Sequence, residues 1–135
     1  MTMNPTKLTL AALAATFTFA LAASDELPPA ATKTGVTYAT DIKAIFDTSC
    51  VKCHSGDKPK ARLKLDSLAG ALKGTKDGKI IKAGDSANSL IIKAVAHTAK
   101  DKDSWMPPMP NKAGIKTLTP EQIGLLRAWI DQGAK

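Results

Sequence analysis

The stretch CVKCH at residues 50–54 restricts what this chain can fold into more than any other feature. Its cysteines, Cys50 and Cys53, are the only two among 135 residues, and His54 follows the second at once. These three residues stand at i, i+3 and i+4, so one helical turn places their side chains on the same face. Such a face can carry a disulfide, a metal ion or a covalently attached prosthetic group.

Two of these three interpretations meet an obstacle elsewhere in the sequence. A Cys50–Cys53 disulfide is typical of thioredoxin-like proteins, but there the pair lies between a strand and a helix, and no strand–helix alternation is visible here. A zinc site needs a fourth ligand, and the chain has no second pair of cysteines or histidines to complete it. The remaining interpretation is one covalently attached haem c, for which C-x-x-C-H is the sequence sign. Cys50 and Cys53 would hold the two vinyl groups, and His54 would be the proximal iron ligand.

The first 22 residues have the pattern of a secretory signal peptide. Lys7 is the only charged residue, an apolar run follows, and Ala20-Leu21-Ala22 gives the small-residue end. The run over residues 8–22 is shorter than the roughly 20 residues of a transmembrane helix, although a retained anchor is the alternative. We therefore predict cleavage after Ala22, a periplasmic or otherwise exported location, and no membrane span afterwards.

The rest of the chain predicts a short arm followed by one mostly α domain. Residues 23–37 are polar and broken by prolines, which indicates a flexible N-terminal arm. Within residues 38–135, apolar side chains recur at helical spacing before the CVKCH motif and again in SANSLIIKAVA, where Asp85 or Ser86 can cap the helix. The last helix is predicted from Thr119-Pro120-Glu121-Gln122, which combines an N-cap, a proline at the first helical position and a capping box.

The segment WMPPMP at residues 105–110 offers the second iron ligand. A methionine thioether is the usual partner of histidine in cytochromes c. The prolines favour polyproline II, in which Met106 and Met109 would face the same way. Only one of them can bind, and we favour Met106, with Met109 as the alternative. His97, just past a helical pattern, is a less favoured candidate.

The charge of the chain bears on its partners. The formal net charge is +7, and it becomes +6 once Lys7 leaves with the signal peptide. The lysines are scattered and are not interleaved with aromatic residues, which argues against nucleic-acid binding. An acidic docking surface on a redox protein fits better. Five basic residues close to the motif form either a docking patch or a solvated face: Lys52, Lys58, Lys60, Arg62 and Lys64.

The order of these motifs resembles the small class I-type monohaem cytochrome c domains, and especially the planctomycete-type cytochrome c. The resemblance rests on DIKAIF, CVKCHSGDKPKARLKLDS, GDSANSLIIKAV, MPP and LTPEQIGLLRAWIDQGA, and it covers residues 38–134. It implies a small cytochrome c fold with helices wrapped around one covalently attached haem, His54 as the proximal ligand and Met106 as the distal one. The second methionine of MPPMP departs from the family pattern.

These observations predict an electron-transfer protein rather than an enzyme. Iron with both a histidine and a methionine ligand has no open position, so its chemistry is one-electron cycling between a donor and an acceptor protein. We expect a monomer. The alternative is a five-coordinate haem c protein acting as a peroxidase or gas sensor, and a third interpretation makes the MPPMP loop and His97 a copper site.

Overall fold

The computed structural model describes residues 26–135, and this part of the chain is built from helices and loops without a β-strand. Its four α-helices are α1 (Lys43–Ser49), α2 (Leu68–Lys73), α3 (Leu90–Val95) and α4 (Pro120–Asp131). The prediction of a mostly α, small cytochrome c-type fold is confirmed. No helix within residues 26–135 is long and apolar enough to cross a membrane. The predicted signal peptide, residues 1–22, lies outside the described residues.

The two ends of the helical domain meet in an aromatic cluster. A π-helical turn, Tyr38–Ile42, runs directly into α1, and it brings Tyr38 within 6.1 Å of Phe46 between ring centroids. Trp129 of α4 lies 6.2 Å from Tyr38 and 6.3 Å from Phe46. All three rings are buried, and tilted or edge-to-face pairs of this kind each contribute about 0.5–1.5 kcal/mol beyond the burial of their area. This cluster fixes α1, and therefore the CVKCH motif that follows it, against α4.

Helix α4 begins as the sequence predicts. Thr119 Oγ1 accepts a hydrogen bond from the Gln122 N–H at 3.2 Å, and Gln122 Oε1 accepts from the Thr119 N–H at 2.9 Å, which completes the capping box. Ile123, Leu126 and Ile130 form the buried side of the helix. The capping and the apolar stripe together make α4 the longest helix among the described residues.

Helix α3 begins later than predicted. Its N-cap is Ser89, whose side chain makes no capping bond, rather than Asp85 or Ser86. Ser86 instead binds Asp131 of α4, with its N–H at 2.8 Å and its hydroxyl at 3.0 Å from the two carboxylate oxygens. Asp85 accepts from the side chain and the N–H of Asn88. Asp85 therefore stabilises a turn and Ser86 makes a tertiary contact, so neither caps the helix, which begins at Leu90.

The segment predicted as a flexible arm lies along α4 wherever the structure describes it. The Ala31 N–H donates to the Gly124 carbonyl at 2.9 Å, and Gln132 Nε2 donates to the Lys33 carbonyl at 2.8 Å. Arg127 also donates to the Pro28 carbonyl. Residues 26–37 form no helix or strand apart from the cap of the first turn, yet they cover one side of α4.

Candidate haem-binding site

A cavity of about 290 Å³ opens beside the CVKCH motif, and three predicted site residues stand on its wall. These are Cys50, His54 and Met106. The rest of the wall is mostly apolar and comes from the loop after the motif and from α3: Ala61, Leu63, Leu65, Ile80, Leu90, Ile91, Ala94 and Val95. Four polar residues complete the lining: Thr75, Asp77, Asp103 and Ser104. The structure thus brings Met106, more than 50 residues away in sequence, to the same mostly apolar space as Cys50 and His54.

The motif forms the turn that its spacing predicts. The Cys50 N–H continues the α1 ladder to the Phe46 carbonyl at 2.8 Å, and the Cys53 and His54 N–H groups return to the Cys50 carbonyl at 3.2 and 3.0 Å. Cys50 is buried and Cys53 is half-buried, and no bond joins their sulfurs. Burial raises the pKa of the Cys50 thiol to about 12. Since a redox-active pair depends on a low thiol pKa, this environment does not favour disulfide exchange.

His54 is oriented by a main-chain acceptor. Its ring is only 7% exposed, and Nδ1 lies 3.1 Å from the Lys60 carbonyl oxygen. A carbonyl can only accept, so Nδ1 carries the hydrogen and Nε2 keeps its lone pair. Burial also lowers the pKa of this imidazole, which favours the neutral form. A neutral imidazole whose other nitrogen is tied to a carbonyl is the usual arrangement of a metal-binding histidine.

The two methionines do not face the same way, so that prediction from polyproline geometry is wrong. Met106 lines the cavity, and its N–H donates to the Ala94 carbonyl of α3 at 3.0 Å. Met109 is 58% exposed. His97 is not among the cavity-lining residues; its Nε2 lies 3.2 Å from the Met106 carbonyl oxygen, and its ring stacks on Trp105.

The residues present fit a covalently held haem. The walls are apolar, as a buried macrocycle requires, and the cavity offers an imidazole nitrogen, a thioether sulfur and a thiol, with the second thiol three residues away. Iron in c-type haem takes this histidine and methionine donor set. Within the described part of the chain, no three or more His, Cys, Asp or Glu residues come together as a separate metal site.

The sequence did not reveal two contributors to the site. The Lys60 carbonyl that orients His54 is a main-chain atom, so no side-chain pattern could indicate it. It lies just before two residues with left-handed backbone, Ala61 and Arg62, at φ 54° and 57°. The polar side chains Thr75, Asp77, Asp103 and Ser104 reach the cavity only through the fold, because nothing in their local sequence differs from an ordinary loop.

The helical fold and the apolar cavity beside the CVKCH motif fit a small c-type cytochrome. Comparison with protein families bears this out, because residues 50–110 match the model of the family described as Planctomycete cytochrome C. The match extends from the first cysteine of the motif through the MPPMP loop. This match supports a planctomycete-type cytochrome c domain at residues 50–110. No similar curated protein and no similar solved structure was found.

Proposed function

We propose that this c-type cytochrome carries single electrons between two redox proteins through one haem bound to Cys50 and Cys53, with His54 and Met106 as the iron ligands. One observation carries the proposal: a buried imidazole, held at Nδ1 by a main-chain carbonyl, and a methionine side chain line the same mostly apolar cavity. We further propose that the protein acts as an exported monomer, in keeping with the signal-peptide pattern of residues 1–22.

Each residue has a definable part in this function. The bound haem would supply one-electron exchange between Fe(III) and Fe(II). The Lys60 carbonyl fixes the ring of His54 in one tautomer, and the Ala94 carbonyl fixes the backbone of Met106. The mostly apolar walls would limit the water around a bound haem, so little polar rearrangement would accompany a change of charge at the site. With His54 and Met106 both bound, the iron would have no position for oxygen or peroxide, which would favour electron transfer over catalysis.

The methionine variants test the ligand assignment. We expect the haem-loaded Met106→Ala variant to lose the iron–sulfur charge-transfer band of a low-spin His/Met haem and to bind CO rapidly after reduction. Met109→Ala is the matched control, and it should keep the band and exclude CO, because Met109 points to solvent. Absorption spectra and CO titration measure both properties.

Two results would contradict the assignment. Loss of the band only in Met109→Ala would make Met109 the ligand. Rapid stoichiometric CO binding by the unmodified protein would show an open iron position, and would favour a five-coordinate peroxidase or gas sensor instead.

A proposed partner surface lies next to the attachment motif. Lys58, Arg62 and Lys64 border one surface depression together with Asp57 and Pro59. The same loop is joined to the motif through the Lys60 N–H, which donates to the Cys53 carbonyl at 2.9 Å. We call these three residues, Lys58, Arg62 and Lys64, the basic patch, and propose that it receives an acidic surface of the redox partner.

A further inference from the structure

The loop that carries Met106 is fastened to the chain segment at the end of α3. The Met106 N–H donates to the Ala94 carbonyl at 3.0 Å, and His97 Nε2 lies 3.2 Å from the Met106 carbonyl oxygen. Trp105 Nε1 donates to the Ala99 carbonyl at 2.9 Å. Because the Met106 oxygen can only accept, His97 carries its hydrogen on Nε2. Both backbone polar groups of Met106 are therefore held by residues 94–97.

The ring of His97 makes a second contact with the same loop. It stacks on Trp105 with 5.0 Å between ring centroids and 2° between planes. The Lys102 ammonium stands 5.4 Å from the centre of the Trp105 ring. His97 therefore restricts the loop in two ways. Stacking fixes the orientation of the Trp105 ring, and the hydrogen bond fixes the position of the Met106 main chain.

The backbone of His97 has a conformation that most residues avoid. It follows the helix cap Ala96 and has φ 56°, in the left-handed region that glycine occupies most readily at this place after a helix. Its N–H donates to the Ala94 carbonyl at 3.2 Å, which closes the helix. Glycine would meet the backbone requirement with less strain, so the backbone alone does not call for a histidine here.

We propose that His97 is a positioning residue for the distal ligand: it holds the main chain of Met106 so that the sulfur stays directed into the cavity. This inference rests on the proposed His54/Met106 coordination. A loop that is already ordered before the sulfur binds loses less conformational entropy on ligation. Removing the imidazole should therefore increase the fraction of protein in which the sulfur has left the iron.

The test uses the haem-loaded ferric protein and added imidazole, which competes with the methionine sulfur. We expect His97→Gly to raise the apparent imidazole affinity about tenfold, since it loses both a hydrogen bond and a stacking contact. His97→Phe keeps an aromatic ring and should give about a threefold rise from the hydrogen bond alone. His97→Gln can still donate and should restore part of the loss. The iron–sulfur band and the reduction potential are recorded for each variant.

Asp131→Asn is the control, because it weakens the contact that α4 makes with Ser86 and leaves the residues around Met106 intact. It should lower the urea midpoint without changing the imidazole affinity. Wild-type imidazole affinity in both His97→Gly and His97→Phe would overturn the proposal, and so would an equal rise in Asp131→Asn. A wild-type protein without the iron–sulfur band would overturn the proposed coordination, and this inference with it.

Discussion

At the residue scale, one carboxylate near the start of the domain gathers an unusual number of donors. Asp41 accepts hydrogen bonds from the Thr40 hydroxyl at 2.6 Å and the Thr37 N–H at 3.0 Å, and it pairs with the Lys33 ammonium. These contacts, the one with Lys33 first, lower the pKa of Asp41 from 3.8 to about 2. The folded protein therefore binds a proton at this site less readily than the unfolded chain does.

The sign of the resulting pH dependence follows from linkage. The stabilisation by Asp41 is fully present above pH 3.8 and is lost as the pH falls towards 2. We expect Asp41→Asn to be less stable than the wild type at neutral pH, with the difference shrinking between pH 4 and pH 2.5. Urea titrations at several pH values measure this difference. Asp47→Asn, which breaks an exposed pair with Lys43, should have little effect at any pH; a constant deficit in Asp41→Asn would contradict the prediction.

At the element scale, the start of α4 depends on one hydroxyl. Thr119 Oγ1 accepts from the Gln122 N–H, which would otherwise lack a helical partner. We expect Thr119→Ala to lower the free energy of unfolding by about 1 kcal/mol, the usual value for losing an N-cap. Thr119→Ser keeps the hydroxyl and should stay near the wild type. Chemical denaturation of both variants provides the measurement, and equal stabilities would show that the cap contributes nothing.

The contact between α4 and the N-terminal arm depends on Gly124, which has no side chain. A Cβ on Gly124 would lie 2.7 Å from the Pro29 carbonyl oxygen, a main-chain atom that can move only with the arm. Gly124→Ala should therefore destabilise the protein by about 1–3 kcal/mol through overpacking, although alanine is the better helix former. Denaturation gives the magnitude, and faster proteolysis within residues 26–34 would report displacement of the arm.

A chain without residues 1–34 tests whether the arm is the cause. In that background the Pro29 carbonyl is gone, and Gly124→Ala should become stabilising by up to about 1 kcal/mol relative to its truncated parent, as helix propensity predicts. If the substitution destabilises both backgrounds equally, the steric conflict lies elsewhere.

The sequence predicts some elements better than others. The difference depends on how far apart in sequence the residues lie whose contacts determine where an element begins. The capping box of α4 joins Thr119 to Gln122, three residues away, so the sequence shows it directly. The start of α3 is decided by Ser86 and Asp131, which are 45 residues apart, and a local capping pattern could not reveal that competition. The arm was predicted from its prolines and polarity, but its packing on α4 depends on Gly124, whose small size carries no signal alone.

At the scale of the whole molecule, the same distinction applies to the site. The CVKCH motif specifies its own turn, so Cys50, Cys53 and His54 could be predicted as a group. Met106 reaches the cavity on a loop that is hydrogen-bonded to Ala94 and His97, and proline geometry alone could not predict which methionine lines the cavity. The apolar walls come from separate segments, and only the packing of α1 on α4 and of the loops around α3 brings them together.

The last prediction follows from the distribution of charge over the whole molecule. The chain carries a net formal charge of +7, and the basic patch is joined through its loop to the CVKCH motif. An anionic oxidant such as hexacyanoferrate(III) should therefore react with the reduced protein faster at low salt, because charges beyond about 10 Å are screened at 0.1 M. Double reversal, Lys58→Glu with Arg62→Glu, should slow this reaction about threefold to tenfold at low salt.

Reversing two charges away from the basic patch distinguishes an effect of the patch itself from an effect of the net charge. Lys82 and Lys135 are both exposed. The segment after Lys82 lies near the end of α4, because the Gly84 N–H donates to the Ile130 carbonyl. The C-terminus lies there too, because Trp129 Nε1 donates to the Lys135 carbonyl. Lys82→Glu with Lys135→Glu changes the net charge equally and should slow the reaction much less. Stopped-flow rates at several ionic strengths give the comparison, with a cationic oxidant showing the opposite salt dependence. Equal slowing by both double variants would mean that only total charge steers the encounter, and the basic patch would then have no special part in it.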